Sequence, residues 1–323
     1  MYFKLYIKII CSFLLLVILL SCETKVDIID EKENITIVYC LINPTDTIQY
    51  VRIEKSYTGS ENPYDMAKIS DSIYYNNASV KLESWNGEYK FNTITLQPYY
   101  EVNKDQGIFA RNDHLVYYTK EKIQGELISL VIDLPDKNEI IFASTKLIDQ
   151  PVFRRPREFI TNIDLFISDG FEIEFSGGGP YNELGIQIFY TELKKDGTKK
   201  EKMAEIMKSH GNNYMSSKFN YILREENFYR PIAMAIEEDS TVLLRKFKKI
   251  DLVAYSANDV FLEFQNLFYS MNDFILNPAS NIINGHGLFA NRSINKKEDF
   301  LLTRISLDSL VNGRYTGHLK FYQ

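Results

Sequence analysis

The sequence predicts a mainly β fold, in which an N-terminal sandwich is followed by a second β-rich domain with two added helices. Short apolar or alternating runs recur along residues 35–152 with turn residues between them, which is typical of antiparallel sheets. Similar runs continue along residues 158–323, where two segments have helical spacing. A chain of 323 residues also exceeds a comfortable single hydrophobic core, so two domains are expected.

Residues 1–21 have the three regions of a secretory signal peptide. Lys4 and Lys8 precede an apolar run over residues 9–20, and the small residue Ser21 follows it. A helix that crosses a membrane needs about 18 or more apolar residues, and this run is shorter. The segment is therefore predicted to be removed on export.

Cys22 ends the sequence LLSC, which resembles the bacterial lipobox. In a lipobox the cysteine thiol takes a diacylglyceryl group, and the new amino terminus is acylated as well. Two or three acyl chains hold a protein on a membrane stably, whereas one chain binds only marginally. Glu23 follows where retention in the inner membrane favours Asp, so we expect an outer-membrane location, with the body facing the periplasm or the surface. The alternative is a secreted protein whose cleavage site happens to precede a cysteine.

Composition limits the partners and the covalent chemistry of the exported chain. Loss of Lys4 and Lys8 takes the formal net charge from −6 to −8, which argues against nucleic acid or bare anionic lipid as a partner. Cys11 leaves with the signal peptide and Cys22 carries lipid, so no intramolecular disulfide is expected. The remaining Cys40 lies in the apolar run ITIVYCLI and is predicted to be a buried, inert thiol and not a nucleophile.

The first half is predicted to contain a tether and then a series of strands. Residues 22–34 are mostly polar and charged, which suits a segment that holds the folded part away from the membrane. Asn86-Gly87 lies between two alternating runs and predicts a two-residue hairpin with positive φ at both positions. The predicted strands are ITIVYCLI, IQYVRIEKSY, ASVKLESW, YKFNTITL, ELISLVIDL and EIIFASTKLI.

A domain boundary is predicted in the stretch DQPVFRRPREF, between residues 152 and 158, because two prolines and three arginines separate the patterned segments. Arg154, Arg155 and Arg157 favour a solvated linker, since runs of charge usually face water. The alternative is a site for an acidic partner.

The second half begins with the strand pattern FEIEF. Its apolar residues lie on one face, and Glu172 and Glu174 lie on the other, where they are predicted to face solvent. The alternative for these two glutamates is acid–base chemistry, which requires separated pKa values. The following SGGGP is predicted to be a flexible hairpin connection to the strand LGIQIFYTEL, and KKDGTKK to turn through Asp196-Gly197.

Two helices are predicted in the second half. In SSKFNYILREENF, Ser216 or Ser217 precedes a helical spacing of apolar residues; in SANDVFLEFQNLFYSM, Asn258 is the expected N-cap. The apolar stripes of both segments are predicted to be core. The stretch TVLLRKFKKIDLVAYSA between them is predicted to be a strand.

The closing stretch NPASNIINGHGLFANRS concentrates unusual residues in a segment of low periodicity. Gly285 and Gly287 bracket His286, and the glycines are expected to allow positive φ in a loop that apolar neighbours hold against the core. The functional alternative makes His286 a base or a metal ligand. No metal-ligand spacing, nucleophile elbow or catalytic triad accompanies it, so no catalytic residue, metal or cofactor is predicted.

The segment SNIINGHGLFA resembles the closing segment of domain-of-unknown-function family 4249, a family of outer-membrane lipoproteins of Gram-negative bacteria. ITIVYCLINPTDTIQYVRIEKSY followed by NNASVKLES is similar to the opening strands of that family. The resemblance implies an immunoglobulin-like N-terminal domain, exposure to the periplasm or the surface, and association with TonB-dependent transporters. The closing loop of the resemblance includes Asn281, Gly285, His286, Gly287 and Phe289.

The expected function is that of a non-enzymatic lipoprotein that binds a ligand or partner beside a TonB-dependent outer-membrane transporter. Two alternatives belong to other classes: a structural or adhesive envelope protein, and a hydrolase of exported polymers. Trp85 is the only tryptophan, which counts against a sugar-stacking platform, although 22 tyrosines offer substitutes.

Overall fold

A computed structural model describes residues 34–57, 62–66, 69–75, 77–101, 114–209, 218–269 and 280–322. Cys22, the predicted signal peptide and all but the last residue of the predicted tether lie outside these ranges. The described chain is mainly β with added helices, which confirms the broad fold class. Within the described ranges, no helix is long and apolar enough to cross a membrane.

The described part of the first half contains eight strands, and in strands such as β1 and β3 buried residues alternate with outward-facing ones. Four of them form a separate sheet in the order β4-β3-β7-β8, and the other four belong to a larger sheet. Side chains from both sheets, among them Val38, Leu82 and Leu130, meet in one hydrophobic cluster. The elements are β1 Thr36–Ile42, β2 Gln49–Lys55, α1 Pro63–Met66, α2 Ser70–Ile73, β3 Ser79–Asn86, β4 Tyr89–Thr95, β5 Gln97–Glu101, β6 His114–Thr119, β7 Leu127–Leu134 and β8 Glu139–Lys146.

The second half adds nine strands and three helices to the described chain. Its own hydrophobic cluster includes Phe175, Ile186 and Leu252. The elements are β9 Val152–Arg155, β10 Asn162–Ile163, β11 Phe171–Ser176, β12 Tyr181–Lys194, β13 Lys199–Ser209, β14 Lys218–Leu223, α3 Glu225–Ala235, β15 Val242–Ala257, α4 Asp259–Tyr269, β16 His286–Leu302, α5 Arg304–Asn312 and β17 Phe321–Tyr322.

Strand β16 joins the two halves in one sheet, whose order is β13-β12-β15-β16-β1-β2-β6-β5. Its first residues pair in parallel with β1, from Ile37 opposite His286 to Ile42 opposite Asn291. Its later residues pair antiparallel with β15. Phe289 is part of the first hydrophobic cluster, and Phe300 is part of the second. One continuous strand therefore supplies side chains to both cores.

The buried residue Asn291 lies on β16 where its pairing changes from β1 to β15. Its Nδ2 donates to the carbonyl oxygen of Ile42 at 2.7 Å, and its Oδ1 accepts from the backbone N–H of Ile148 at 2.7 Å. Its own carbonyl accepts from the N–H of Asn258, whose side chain donates to Thr145 Oγ1 at 2.7 Å. Because buried polar groups are stable only when hydrogen-bonded, these amides fix the junction between the halves.

One predicted helix is wrong. Residues 218–223 of the segment SSKFNYILREENF form β14, which pairs with β11, and the helix α3 begins only at Glu225. Phe219 and Leu223 are buried, and Ile222 is 42% exposed. A short apolar run of this kind fits both the period of a helix and the period of a strand, and pairing with β11 stabilises the strand.

The other predicted helix is confirmed as α4. Asn258 precedes it, and the Oδ1 of Asn258 accepts from the N–H of Phe261 at 3.3 Å. The predicted strand before it is β15. Helix α5 was not predicted, so the described chain holds more than two added helices.

The three segments in which glycines were expected to form hairpin turns differ in structure. KKDGTKK is a confirmed hairpin, with φ of 85° at Gly197. The hairpin predicted at Asn86-Gly87 is confirmed, but Asn86 pairs with Tyr89, so the two turn residues are Gly87 and Glu88. Only Gly87 has positive φ, which fits a type II′ turn, so the expected positive φ at Asn86 is wrong. SGGGP is not a hairpin, because β11 and β12 lie in different sheets. A Cβ on Gly178 would lie 2.1 Å from the carbonyl oxygen of Asp149, so this segment is closely packed.

The predicted linker is partly wrong, because Val152–Arg155 forms β9 and pairs with β11. Arg155 Nε lies 3.0 Å from Glu172 Oε2, so this arginine is held by the second half. Strand β16 pairs with strands of both halves. The division of the chain into separate domains between residues 152 and 158 therefore stays a prediction.

Two glycine variants separate backbone strain from steric overlap. Gly197→Ala should cost about 1 kcal/mol of unfolding free energy, because alanine must adopt positive φ but meets no atom within 4 Å. Gly287→Ala should cost about 3 kcal/mol, because its φ is also positive and the new Cβ would lie 1.9 Å from the Val38 carbonyl oxygen. Denaturant unfolding of both variants measures the difference. Equal losses would contradict the close approach of β16 to β1.

Candidate binding site

The closing loop packs against the first core through Asn281. Its Nδ2 donates to the carbonyl oxygens of Phe289 at 2.8 Å and of Ser144 at 3.2 Å. Its Oδ1 accepts from the N–H of Phe289 at 2.9 Å. Phe289 is fully buried. The structure thus brings the predicted loop residues together at the start of β16, where they hold it against β8.

Gly285, His286 and Gly287 have separate roles in this geometry. Gly287 has a φ of 125°, as expected, whereas Gly285 does not have positive φ, so that part of the expectation is wrong. A Cβ on Gly285 would instead lie 2.8 Å from the Thr36 carbonyl oxygen. His286 is exposed, and the described residues contain no group of three metal-ligating side chains.

Cys40 is buried on β1, as predicted. Burial raises the pKa of its thiol, because a thiolate would lose its hydration in the apolar core. This environment opposes thiolate formation, so Cys40 acts as a small apolar side chain.

Glu172 and Glu174 lie beside the guanidinium of Arg155. Arg155 Nε is 3.0 Å from Glu172 Oε2 and 3.9 Å from Glu174 Oε2. All three side chains are partly exposed, so the two carboxylates form a surface ion-pair cluster. The predicted solvent-facing position is confirmed.

A row of tyrosines covers the outer face of the first-half part of the large sheet. Tyr50 on β2 is paired with Tyr118 on β6, and their ring centroids are 6.5 Å apart. Tyr99 on β5 meets the Tyr118 ring edge-on at 5.8 Å. Tyr39 and Leu41 of β1 extend the row, and Tyr39, Tyr50 and Tyr99 are each 44–49% exposed. We call these five residues the tyrosine face.

A groove of about 560 Å³ adjoins Tyr39 at one end of the tyrosine face. Ile37 and Met66 supply apolar walls, and Arg52 and Glu54 supply charge. Arg52 Nε donates to Glu54 Oε1 at 2.8 Å, which holds the guanidinium in place on the sheet. The groove therefore combines apolar surface with an oriented ion pair.

The sequence contains 22 tyrosines, but it does not show that several of them share one surface. Alternation within a strand indicates which residues share a face, but it does not give the register between strands. The pairing of β2 with β6 and of β6 with β5 decides which tyrosines meet. The signal available in the sequence was the tyrosine at outward-facing positions of YVRIEK and HLVYYT.

A family model described as "Domain of unknown function (DUF4249)" matches residues 23–322. The chain belongs to the DUF4249 family. The resemblance carried by the opening strands and the closing segment is thereby confirmed. No curated protein matches the chain.

Distant likenesses connect this DUF4249 chain to several solved structures. A DUF4785 family protein from Legionella pneumophila is 10% identical over 67% of this chain and 52% of that one, with a TM-score of 0.22. The C-terminal globular domain of an oligosaccharyltransferase from Pyrococcus abyssi is 11% identical over 84% and 49%, with a TM-score of 0.20. Trypsin-activated alpha-2-macroglobulin from Escherichia coli is 9% identical over 69% and 14%, with a TM-score of 0.18.

The chain spans about half or less of the length of these structures. Likenesses this distant identify neither a shared fold nor a shared function.

Proposed function

We propose that this protein is a non-enzymatic lipoprotein of the outer membrane, anchored through Cys22, that binds a TonB-dependent transporter as an accessory subunit. The tyrosine face is the observation that carries the proposal. We further propose that the two sheets of the first half form an immunoglobulin-like sandwich, which presents this face to the partner.

The composition of the tyrosine face supports a protein partner. Tyrosine and arginine are enriched among the residues that dominate the energy of protein interfaces. Four tyrosines belong to the tyrosine face, and Arg52 of the adjoining groove is paired with Tyr39. The rings of Tyr50 and Tyr99 both contact the ring of Tyr118, so binding orders these side chains at a reduced cost in entropy. The tyrosine face is an open sheet surface, which fits another protein better than it encloses a small molecule.

The candidate reactive groups support a binding role over a catalytic one. The thiol of Cys40 is buried and disfavoured as a thiolate. Glu172 and Glu174 share one guanidinium on an open surface, which does not separate two carboxylates into an acid and a base.

The lipid anchor is tested by a cysteine substitution. Cys22→Ala should leave an unprocessed or soluble form, because the thiol that takes the diacylglyceryl group is gone. Cys11→Ala is the matched control and should remain in the membrane. Labelling with palmitate and separation of membrane from soluble material measure both. Failure of palmitate to label the wild type would overturn the anchor.

The tyrosine face is tested by capture from detergent-solubilised outer membrane. The double variant Tyr50→Ala/Tyr99→Ala should recover at least tenfold less of a TonB-dependent barrel than the wild type, as expected for the loss of two anchor residues, at about 1.4 kcal/mol per tenfold change. Tyr89→Ala is the control, because Tyr89 is 71% exposed on the other sheet. Mass spectrometry identifies and quantifies the barrel. Equal recovery by all three proteins would rule out this face as the interface.

A further inference from the structure

A second cavity, of about 510 Å³, lies where β9 and the loop after it meet β16. Arg154 and Arg157 line it from one side, and Lys296 and Lys297 line it from the other. Glu158 is the only carboxylate among its described lining residues. The exported chain is predicted to be acidic overall, so this concentration of positive charge is local.

The two arginines of the cavity form no ion pair with a carboxylate of the described residues, and Lys296 interacts electrostatically with Asp46. Arg155, the middle arginine of the segment, has its guanidinium beside Glu172. Among the described residues, no carboxylate lies within 4.0 Å of the charged nitrogens of Arg154, Arg157 or Lys296. Alternation along β9 separates the paired Arg155 from Arg154, and Arg157 lies in the loop after the strand.

The cavity walls are held in place by hydrogen bonds from side chains of β16 to backbone carbonyl oxygens of residues 151–157, which we call the arginine segment. Lys297 Nζ donates to the carbonyl oxygen of Pro156 at 2.6 Å. Asn295 Nδ2 donates to the carbonyl oxygen of Pro151 at 2.8 Å. Pairing of β9 with β11 fixes the same segment from its other edge. A site that is positioned before binding loses less entropy when a ligand arrives.

We propose that this cavity binds a soluble, phosphate-bearing small molecule with a ring-shaped remainder. Guanidinium groups bind phosphate oxygens through paired, charge-assisted hydrogen bonds, and a lysine adds a point charge. Phe153 and the 72% exposed Phe159 supply an apolar wall for the ring. The acidic charge predicted for the rest of the exported chain disfavours an extended anionic surface and leaves a compact anion as the fitting ligand. This site is separate from the tyrosine face and does not depend on the proposed function.

Isothermal titration calorimetry of the full chain in detergent tests the site. Glucose 1-phosphate is the ligand, and glucose is the uncharged control. The wild type should bind glucose 1-phosphate and not glucose. Arg154→Gln/Arg157→Gln should weaken binding at least tenfold, and Lys296→Gln should weaken it to a smaller extent. Lys199→Gln/Lys200→Gln removes the same charge from the exposed tip of β13 and should bind as the wild type does. Circular dichroism of each variant verifies that it is folded.

Four results would overturn the proposal. The first is no binding of glucose 1-phosphate by the wild type, and the second is equal weakening in the arginine and lysine double variants, which would mean unspecific attraction. The third is arginine-dependent binding of a hexaglutamate peptide in preference to glucose 1-phosphate, which would indicate an acidic protein partner. The fourth is arginine-dependent binding to phosphatidylglycerol vesicles without binding of the soluble ester, which would indicate a lipid surface.

Discussion

The parallel pairing of β1 with the start of β16 is the constraint on which the rest of the structure depends. It brings together residues as far apart in sequence as Ile42 and Asn291, which are separated by 249 positions. The same strand then pairs with β15 and continues into the second core. Gly287 allows the close approach, and Asn281 and Asn291 satisfy the backbone groups around it.

Both candidate surfaces follow from this strand. The tyrosine face is the outer side of the sheet that β1 begins, and the basic cavity uses Lys296 and Lys297, which lie a few residues beyond Asn291 on β16. The tyrosine face therefore begins on the strand that pairs with the first part of β16, and the basic cavity uses a later part of β16. A closing segment that first appeared to be a loop motif is a structural element of the whole sheet.

Local patterns were sufficient for most strands and for one helix. Alternation in TIVYCLI and FEIEFS identifies the buried face of each strand, and Asn258 marks the start of α4. The same patterns give the wrong element at residues 218–223. A short apolar run there fits both a helix and a strand, and pairing with the neighbouring strand β11 stabilises the strand. They failed again at SGGGP, because which sheet receives β12 is set by distant pairings.

The candidate sites were less predictable than the strands, since each is assembled from segments far apart in sequence. The three arginines of the segment RRPR looked equivalent in the sequence. In the structure Arg155 binds Glu172, and Arg154 and Arg157 line a cavity with lysines from β16. Strand alternation predicts that neighbouring side chains differ in direction, but only the pairing of β9 with β11 and its position beside β16 show what each arginine meets.

Cooperative unfolding tests the central claim, that β16 couples the two halves, most directly. Trp85 is the only tryptophan and lies on β3 in the first half, so its fluorescence reports on that half. Far-UV circular dichroism reports on the strands of both halves, including the long strands β12, β15 and β16. In a guanidinium titration of the wild type, the two signals should change together with one midpoint. Two separated midpoints would contradict the coupling.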